Sequence, residues 1–193
     1  VGSEMCIRDS SNALEKLKNV SELRNAARNI DNMAVRDSLT GVYNRMGINR
    51  FVVDMVKQAN TSRRRLLFIF ADMDGLKKIN DEFGHEAGDQ AICFAAEALQ
   101  EAFCEKELII RYGGDEFLVV SDALCWEQAE EKKAQITALL KQWQRDEKLP
   151  YRLSMSIGYY QKEPDTEASM EQYINWADER MYEMKCKNRE QRK

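Results

Sequence analysis

The chain has 193 residues, which fits one globular domain with a short appendage rather than two full domains. Its 29 Lys and Arg stand against 33 Asp and Glu, a net charge of −4, which argues against a basic face for nucleic acid. Hydrophobic residues make up 44%, enough for a packed core and too many for a disordered chain, while the 32% of charged residues imply a heavily solvated surface. The apolar run LLFIFA at 66–71 is far too short to span a bilayer, so no membrane contact is expected of this chain. Its start at Val1 rather than Met leaves a membrane-anchored parent open. The five Cys, at 6, 93, 104, 125 and 186, are odd in number and form no CxxC pair, and the one His is His85. Neither a disulfide framework nor a Cys/His zinc site is expected; the thiols read as reduced, mostly core fillers, in a cytoplasmic protein.

Taken in chain order, residues 1–13 read as a tag or a frayed native end and are set aside from the fold. Residues 14–36 read as an N-terminal signalling or linker helix. Val20, Leu23, Ala27, Ile30 and Ala34 recur at spacings of 3, 4, 3 and 4, a period that favours pairing with another helix. An amphipathic helix packed on its own domain is the alternative. The compact domain is expected over 37–193. A helix is expected over 45–59, capped by Asn44, with Phe51, Met55 and Ala59 inward. The run 66–71 reads as a buried central strand. A helix follows over 88–103 with Ile92, Ala95, Leu99 and Phe103 inward, then a hairpin over 107–121 around Gly113-Gly114. Residues 126–146 form an amphipathic helix with Ala129, Ile136, Leu140 and Trp143 inward. Residues 152–160 form a strand and 168–187 a last helix. This order predicts an α/β (α+β) domain, its sheet partly antiparallel and covered by helices.

Three constellations carry chemistry. The first is FADMDGLKKINDEFGHEAGDQ at 70–90, where a buried strand ends in Asp72-Met73-Asp74 and then Gly75. Carboxylates at such a place are costly to desolvate unless a cation meets them, and Mg²⁺ prefers a few carboxylates plus phosphate oxygens. Asp72 reads as a metal ligand; Asp74 reads equally as a turn or cap residue. The second is Arg111-Tyr112-Gly113-Gly114-Asp115-Glu116-Phe117. Its two glycines permit a tight turn of positive φ and close approach of a ligand, and its two acids follow at a hairpin tip that could converge on Asp72. The third is Lys185 and Arg189, one helical turn apart, able to grip phosphate or simply to sit where a helix C-terminus favours cations.

Together these residues resemble the GGDEF domain family, the diguanylate cyclases. The resemblance runs from DSLTGVYNR at 37–45, through the D-x-D…K-x-x-N-D…G-H…G-D run at 72–89 and the unaltered GGDEF at 113–117, to Lys185 and Arg189. It implies a palm-like nucleotidyl cyclase fold with a central mixed five-stranded sheet. It implies condensation of two GTP into cyclic di-GMP with release of two pyrophosphates, the 3′-hydroxyl of one GTP attacking the α-phosphorus of the other. Such chemistry needs two metals, Mg²⁺ or in its place Mn²⁺. By resemblance Asp72, the carbonyl of Met73, Asp115 and Glu116 hold the metal, with Asp115 also placed to help deprotonate the hydroxyl. Asn80 and Asp89 match the guanine readers; a carboxylate accepts the N1–H and N2–H donors that adenine lacks. Lys77, Lys185 and Arg189 would contact phosphate, as would the backbone N–H groups of Gly75 and Leu76 beside Gly113 and Gly114. His85 matches the Gly-His pair and is expected to order the loop.

The chain departs from the family pattern at Leu76, where Phe is usual, and at Asn188, where Gly is usual. It also lacks the Arg-x-x-Asp of the inhibitory product site; those positions read Cys104-Glu105-Lys106-Glu107, so inhibition through that site is not expected. One domain offers one nucleotide half-site, so the resemblance implies a homodimer for catalysis, with an upstream sensory domain as the natural further partner. A catalytically silent module that binds GTP and regulates another domain is the alternative.

Overall fold

The computed structural model describes residues 34–190 except 105 and 165, and not the side chains of 187–190. The expectations for 1–13 and for most of the helix at 14–36 lie outside the described residues. The chain divides into units 1–36 and 37–193, and the second carries the features that follow.

Four strands form one sheet: β1 (Leu66–Met73), β2 (Leu108–Gly113), β3 (Glu116–Ser121) and β4 (Met155–Lys162). Their order is β2-β3-β1-β4 and every pairing is antiparallel. The expected mixed five-stranded sheet is therefore corrected to four antiparallel strands among the described residues. Only four runs of the sequence have strand character, and the parallel component shrinks to a single bridge between Tyr43 and Ile110. There the Tyr43 N–H donates to Ile109 O at 3.0 Å and the Arg111 N–H donates to Tyr43 O at 2.7 Å.

β1 is buried along all eight residues, as its unbroken apolar run demands of a central strand. Strand alternation sends Leu67, Ile69, Ala71 and Met73 into one core and Leu66, Phe68 and Phe70 into another. The first core packs under α2 (Leu76–Phe83), α3 (His85–Ala102) and α4 (Trp126–Asp146); the second lies under α1 (Val53–Thr61) and α5 (Met170–Glu190). Helices thus cover both faces of the sheet. Ile92, Ala95, Leu99 and Phe103 are buried, as are Ala129, Ile136 and Leu140.

Two local readings change. In the first helix Ala59 is buried as expected, but Val52 and Val56 are fully buried where Phe51 and Met55 are only half-buried. A π-helical turn at Ile48–Val52, closed by the Val53 N–H on Ile48 O, widens the spiral and rotates the buried face by about one residue. Asn44 does open this segment, its Oδ1 accepting the Met46 N–H at 2.9 Å. The four described cysteines, Cys93, Cys104, Cys125 and Cys186, are free thiols, and none is fully buried, so they are not core fillers. No helix among the described residues is long and apolar enough to cross a membrane.

Close approach of α5 to the sheet depends on Gly158 in β4. A Cβ there would come within 2.0 Å of the Met181 backbone nitrogen. The bare backbone lets α5 lie directly on β4, and this seating carries Lys185 across to the end of β1.

Candidate active site

Asp72 lies one residue from the end of β1 and is 9% exposed. Glu116 is its register partner on β3. Asp115 precedes it, and its carbonyl accepts the Met73 N–H at 3.0 Å. Sheet register therefore gathers Asp72, Asp115 and Glu116 at one end of two neighbouring strands. Lys185 reaches the same place from α5, where its Nζ donates to Asp72 Oδ1. This lysine, expected on phosphate, is seated on the carboxylate.

Charge is poorly balanced there. Burial pushes the Asp72 carboxyl up; the Lys185 ammonium opposes it, and the negative charges of Asp115 and Asp74 add to it, with a net rise. Burial also pushes Glu116 up, joined by Asp72, Asp115 and Asp178 and opposed by Lys185. Two acids held above their ordinary range by burial first and by neighbouring carboxylates second mark a place short of positive charge. Among the described residues, no three Asp, Glu, His or Cys side chains form a metal cage by themselves. A hard cation held by one or two carboxylates and completed by phosphate oxygens needs no such cage, so the donors present fit Mg²⁺ bound together with a nucleotide.

Asp74 belongs to the turn. Its carboxylate accepts the Ser154 hydroxyl at 2.9 Å and the Ser156 hydroxyl at 2.7 Å.

The hairpin tip is built differently from the expectation. Neither Gly113 nor Gly114 takes a positive φ, and a bulge between Arg111 and Gly113 precedes the turn. What Gly113 supplies is room: a Cβ there would meet Glu116 Oε2 at 2.8 Å. Arg111, which sequence reasoning left without a role, staples the tip. Its Nε and Nη2 donate to Gly114 O at 3.0 and 2.8 Å, and its Nη1 donates to Asp37 Oδ1 at 3.0 Å. Asp37 also accepts the Thr40 N–H at 3.0 Å and the Thr40 hydroxyl at 2.7 Å. Burial pushes the Asp37 carboxyl up, but Thr40 and Arg111 outweigh it and hold the group below its ordinary value. Arg45 lies over the Tyr112 ring at 4.7 Å. The DSLTGVYNR stretch is thus the brace of the hairpin.

The nucleotide-side residues lie on a helix pair. Gly75, at φ 78°, turns the chain from β1 into α2, and an L side chain would be strained there. The first amides of α2, which include Leu76 and Lys77, have no acceptor within their own helix. Leu76 is half-buried against the core, and Lys77 is exposed. Gly84, at φ 86°, separates α2 from α3, and no side-chain hydrogen bond caps α3 there. His85 opens α3 and is exposed; Asp89, one turn further on, is exposed as well. Asn80 stands half-buried on α2 facing α3. Arg189 lies in α5, its side chain outside the described residues.

At the position of the absent product site, Glu107 is 7% exposed and already committed. Its carboxylate accepts the Cys104 N–H at 3.0 Å, the Cys104 thiol at 2.8 Å and the Ser121 hydroxyl at 3.3 Å.

A family model described as diguanylate cyclase, GGDEF domain, matches residues 34–191, and the chain belongs to that family. The diguanylate cyclase DgcP of Escherichia coli is 31% identical over 180 residues, 89% of this chain and 50% of DgcP. MucR of Pseudomonas aeruginosa, a bifunctional diguanylate cyclase/cyclic di-GMP phosphodiesterase, is 31% identical over 169 residues, 88% of this chain and 24% of MucR. This chain spans between 13% and 50% of the length of the curated relatives it matches first. Among solved structures, the coiled coil and GGDEF domain of DgcB from Caulobacter crescentus, in complex with c-di-GMP, shares the fold. Its TM-score is 0.74 at 20% identity, covering 91% of this chain and 93% of that one. A microbial GGDEF domain studied for its interaction with cyclic di-GMP reaches a TM-score of 0.68 at 30% identity, covering 82% and 94%.

Proposed function

We propose that this domain is a diguanylate cyclase that condenses two GTP into cyclic di-GMP, with Mg²⁺, or Mn²⁺ in its place, bound twice per site. The observation that carries the reading is the register pairing of Asp72 with Glu116, beside Asp115, at the end of two strands. Membership of the family supports it.

Asp72, the Met73 carbonyl, Asp115 and Glu116 would hold the metal. Bound there, it would lower the pKa of the attacking hydroxyl and neutralise the triphosphate. The remaining roles belong to the chain's own residues. Asn80 and Asp89 bind the guanine and reject bases that leave them unpaired. The N–H groups of Gly75 and Leu76, with Lys77, take up phosphate charge at the start of α2. Gly113 and Gly114 keep the hairpin tip bare enough for close approach. Arg189 adds charge from α5. Lys185 holds Asp72 until the nucleotide arrives and can then turn to phosphate. His85 orders the joint between the two helices. Asp115 accepts the proton of the 3′-hydroxyl. A bond forms from the 3′-oxygen to the α-phosphorus, the bond to the β-phosphate oxygen breaks, and pyrophosphate leaves. The same exchange in the opposite sense closes the ring.

Each chain supplies one half-site, so the working unit is a homodimer, with an upstream sensory domain governing its assembly. We place the activity in the cytoplasm, where GTP is made and used. Incubation with GTP and Mg²⁺, with products resolved by mass spectrometry, tests the reading. Cyclic di-GMP is expected from the wild type and not from Asp115→Ala. Magnesium-dependent GTP binding without product, even with dimerisation forced through the N-terminal segment, would leave a silent binding module instead. Progress curves are expected to stay straight until substrate is depleted, because Glu107 is committed to Cys104 and Ser121 and no guanidinium stands at 104. Early bending that Cys104→Ala or Glu107→Ala abolishes would contradict this.

A further inference from the structure

Asn80 is fixed through its backbone: its carbonyl accepts the Gly84 N–H at 2.9 Å and closes α2. Its side chain is held less obviously. Oδ1 is buried and has no hydrogen-bond partner. A buried polar atom left unpaired is costly, so its position asks for a cause.

The cause faces it on the next helix. Gly88 is buried in the first turn of α3. A Cβ at Gly88 would stand 1.8 Å from Asn80 Oδ1 and 2.8 Å from its Cγ. Nothing in the backbone calls for glycine there. Gly88 is not among the positive-φ glycines, and its N–H donates to Gly84 O at 3.3 Å as in any helix. Glycine inside a helix is a poorer choice than alanine. The residue is explained by the space it leaves, and that space is filled by the Asn80 carboxamide.

We infer that Gly88 is a positioning residue for base recognition, acting through Asn80 and resting on the reading of Asn80 as a guanine contact. Any side chain at 88 forces the carboxamide out of its place. With glycine the carboxamide is already seated against the first turn of α3 before the purine arrives. Recognition then needs less ordering of side chains on binding.

Three variants test this: Gly88→Ala, Asn80→Ala and the double. Binding of a GTP analogue with a methylene between the α- and β-phosphates gives affinity without turnover, and steady-state kinetics gives KM and kcat. Each single variant is expected to bind about tenfold more weakly, with KM raised and kcat within about twofold. The double variant is expected to bind no more weakly than Asn80→Ala. It should also melt above Asn80→Ala, because without the carboxamide alanine simply favours the helix. Wild-type affinity in Gly88→Ala overturns the inference. So does a Gly88→Ala penalty that persists undiminished in the Asn80→Ala background, which would make Gly88 a helix-packing residue only. Wild-type affinity in Asn80→Ala is a separate result: it sinks the base-reading role of Asn80, and this inference with it. Should Gly88→Ala fail to fold alone, the double variant, free of the clash, still gives the deciding comparison with Asn80→Ala.

Discussion

Asp37 and Arg111 show how far from the chemistry a single side chain can act. Their ion pair is mostly shielded from solvent, and Arg111 spends its other donors on Gly114 O. The Asp37 carboxyl is held below its ordinary value of 3.8, so its ionised form is favoured by folding. That stability is present above pH 3.8 and is lost as pH falls through the lower folded value. Asp37→Asn is expected to cost about 1–3 kcal/mol at pH 7. Denaturant unfolding should show the gap from wild type closing well below pH 3.8. A gap unchanged at acid pH would mean that Asp37 contributes by shape rather than by charge. The same scale shows why Arg111 escaped sequence reasoning. Its position before Gly113-Gly114 was plain, but its partner Asp37 lies 74 residues earlier, and nothing local links the two.

At the scale of elements, hydrophobic period made most of the fold legible. The unbroken run of β1 announced a central strand, and α4 begins and ends where its amphipathic pattern does. Elsewhere the period misled or was passed over. The π turn at Ile48–Val52 shifted the buried face of α1, a rotation that no count of apolar residues foretells. The eight residues of α2 carry Leu76, Ile79 and Phe83 at helical spacing between two glycines, yet they read more readily as a string of motif residues. The seating of α5 is the clearest case of structure hidden from sequence. Gly158 looks like an interruption of β4, but its missing Cβ is what Met181 and Arg180 pack against. Gly158→Ala puts a carbon where backbone already lies and is expected to destabilise by about 3 kcal/mol, lowering the melting temperature by roughly 10 °C. Turnover should fall as well, since the shift moves Lys185 off Asp72. An unchanged melting temperature and rate would show that α5 does not bear on the sheet at this point.

At the scale of the whole domain, two sets of candidate residues lie at the sheet and on the helices that follow it. The acids Asp72, Asp115 and Glu116 stand at the strand ends, and Asn80 and Asp89 stand on the α2–α3 pair that follows β1. Both sets stand out in the sequence as candidates, because GGDEF and the D-x-D…N-D…G-D run keep their spacing. Their support does not, because Gly88, Gly158 and Arg111 matter through what crosses from distant segments. The fifth strand was expected from resemblance rather than from any fifth β-rich run, and a single bridge at Tyr43 stands in its place. The proposed reaction joins two nucleotides, and each chain is proposed to bind one of them. The account therefore requires two chains to meet for each turnover. The most direct test follows cyclic di-GMP formed from GTP and Mg²⁺, resolved by mass and expressed per chain, over a hundredfold dilution. The account predicts cyclic di-GMP as the product and a yield per chain that falls as the protein is diluted. Absence of cyclic di-GMP at every concentration, or a yield per chain that stays constant through the series, would contradict it.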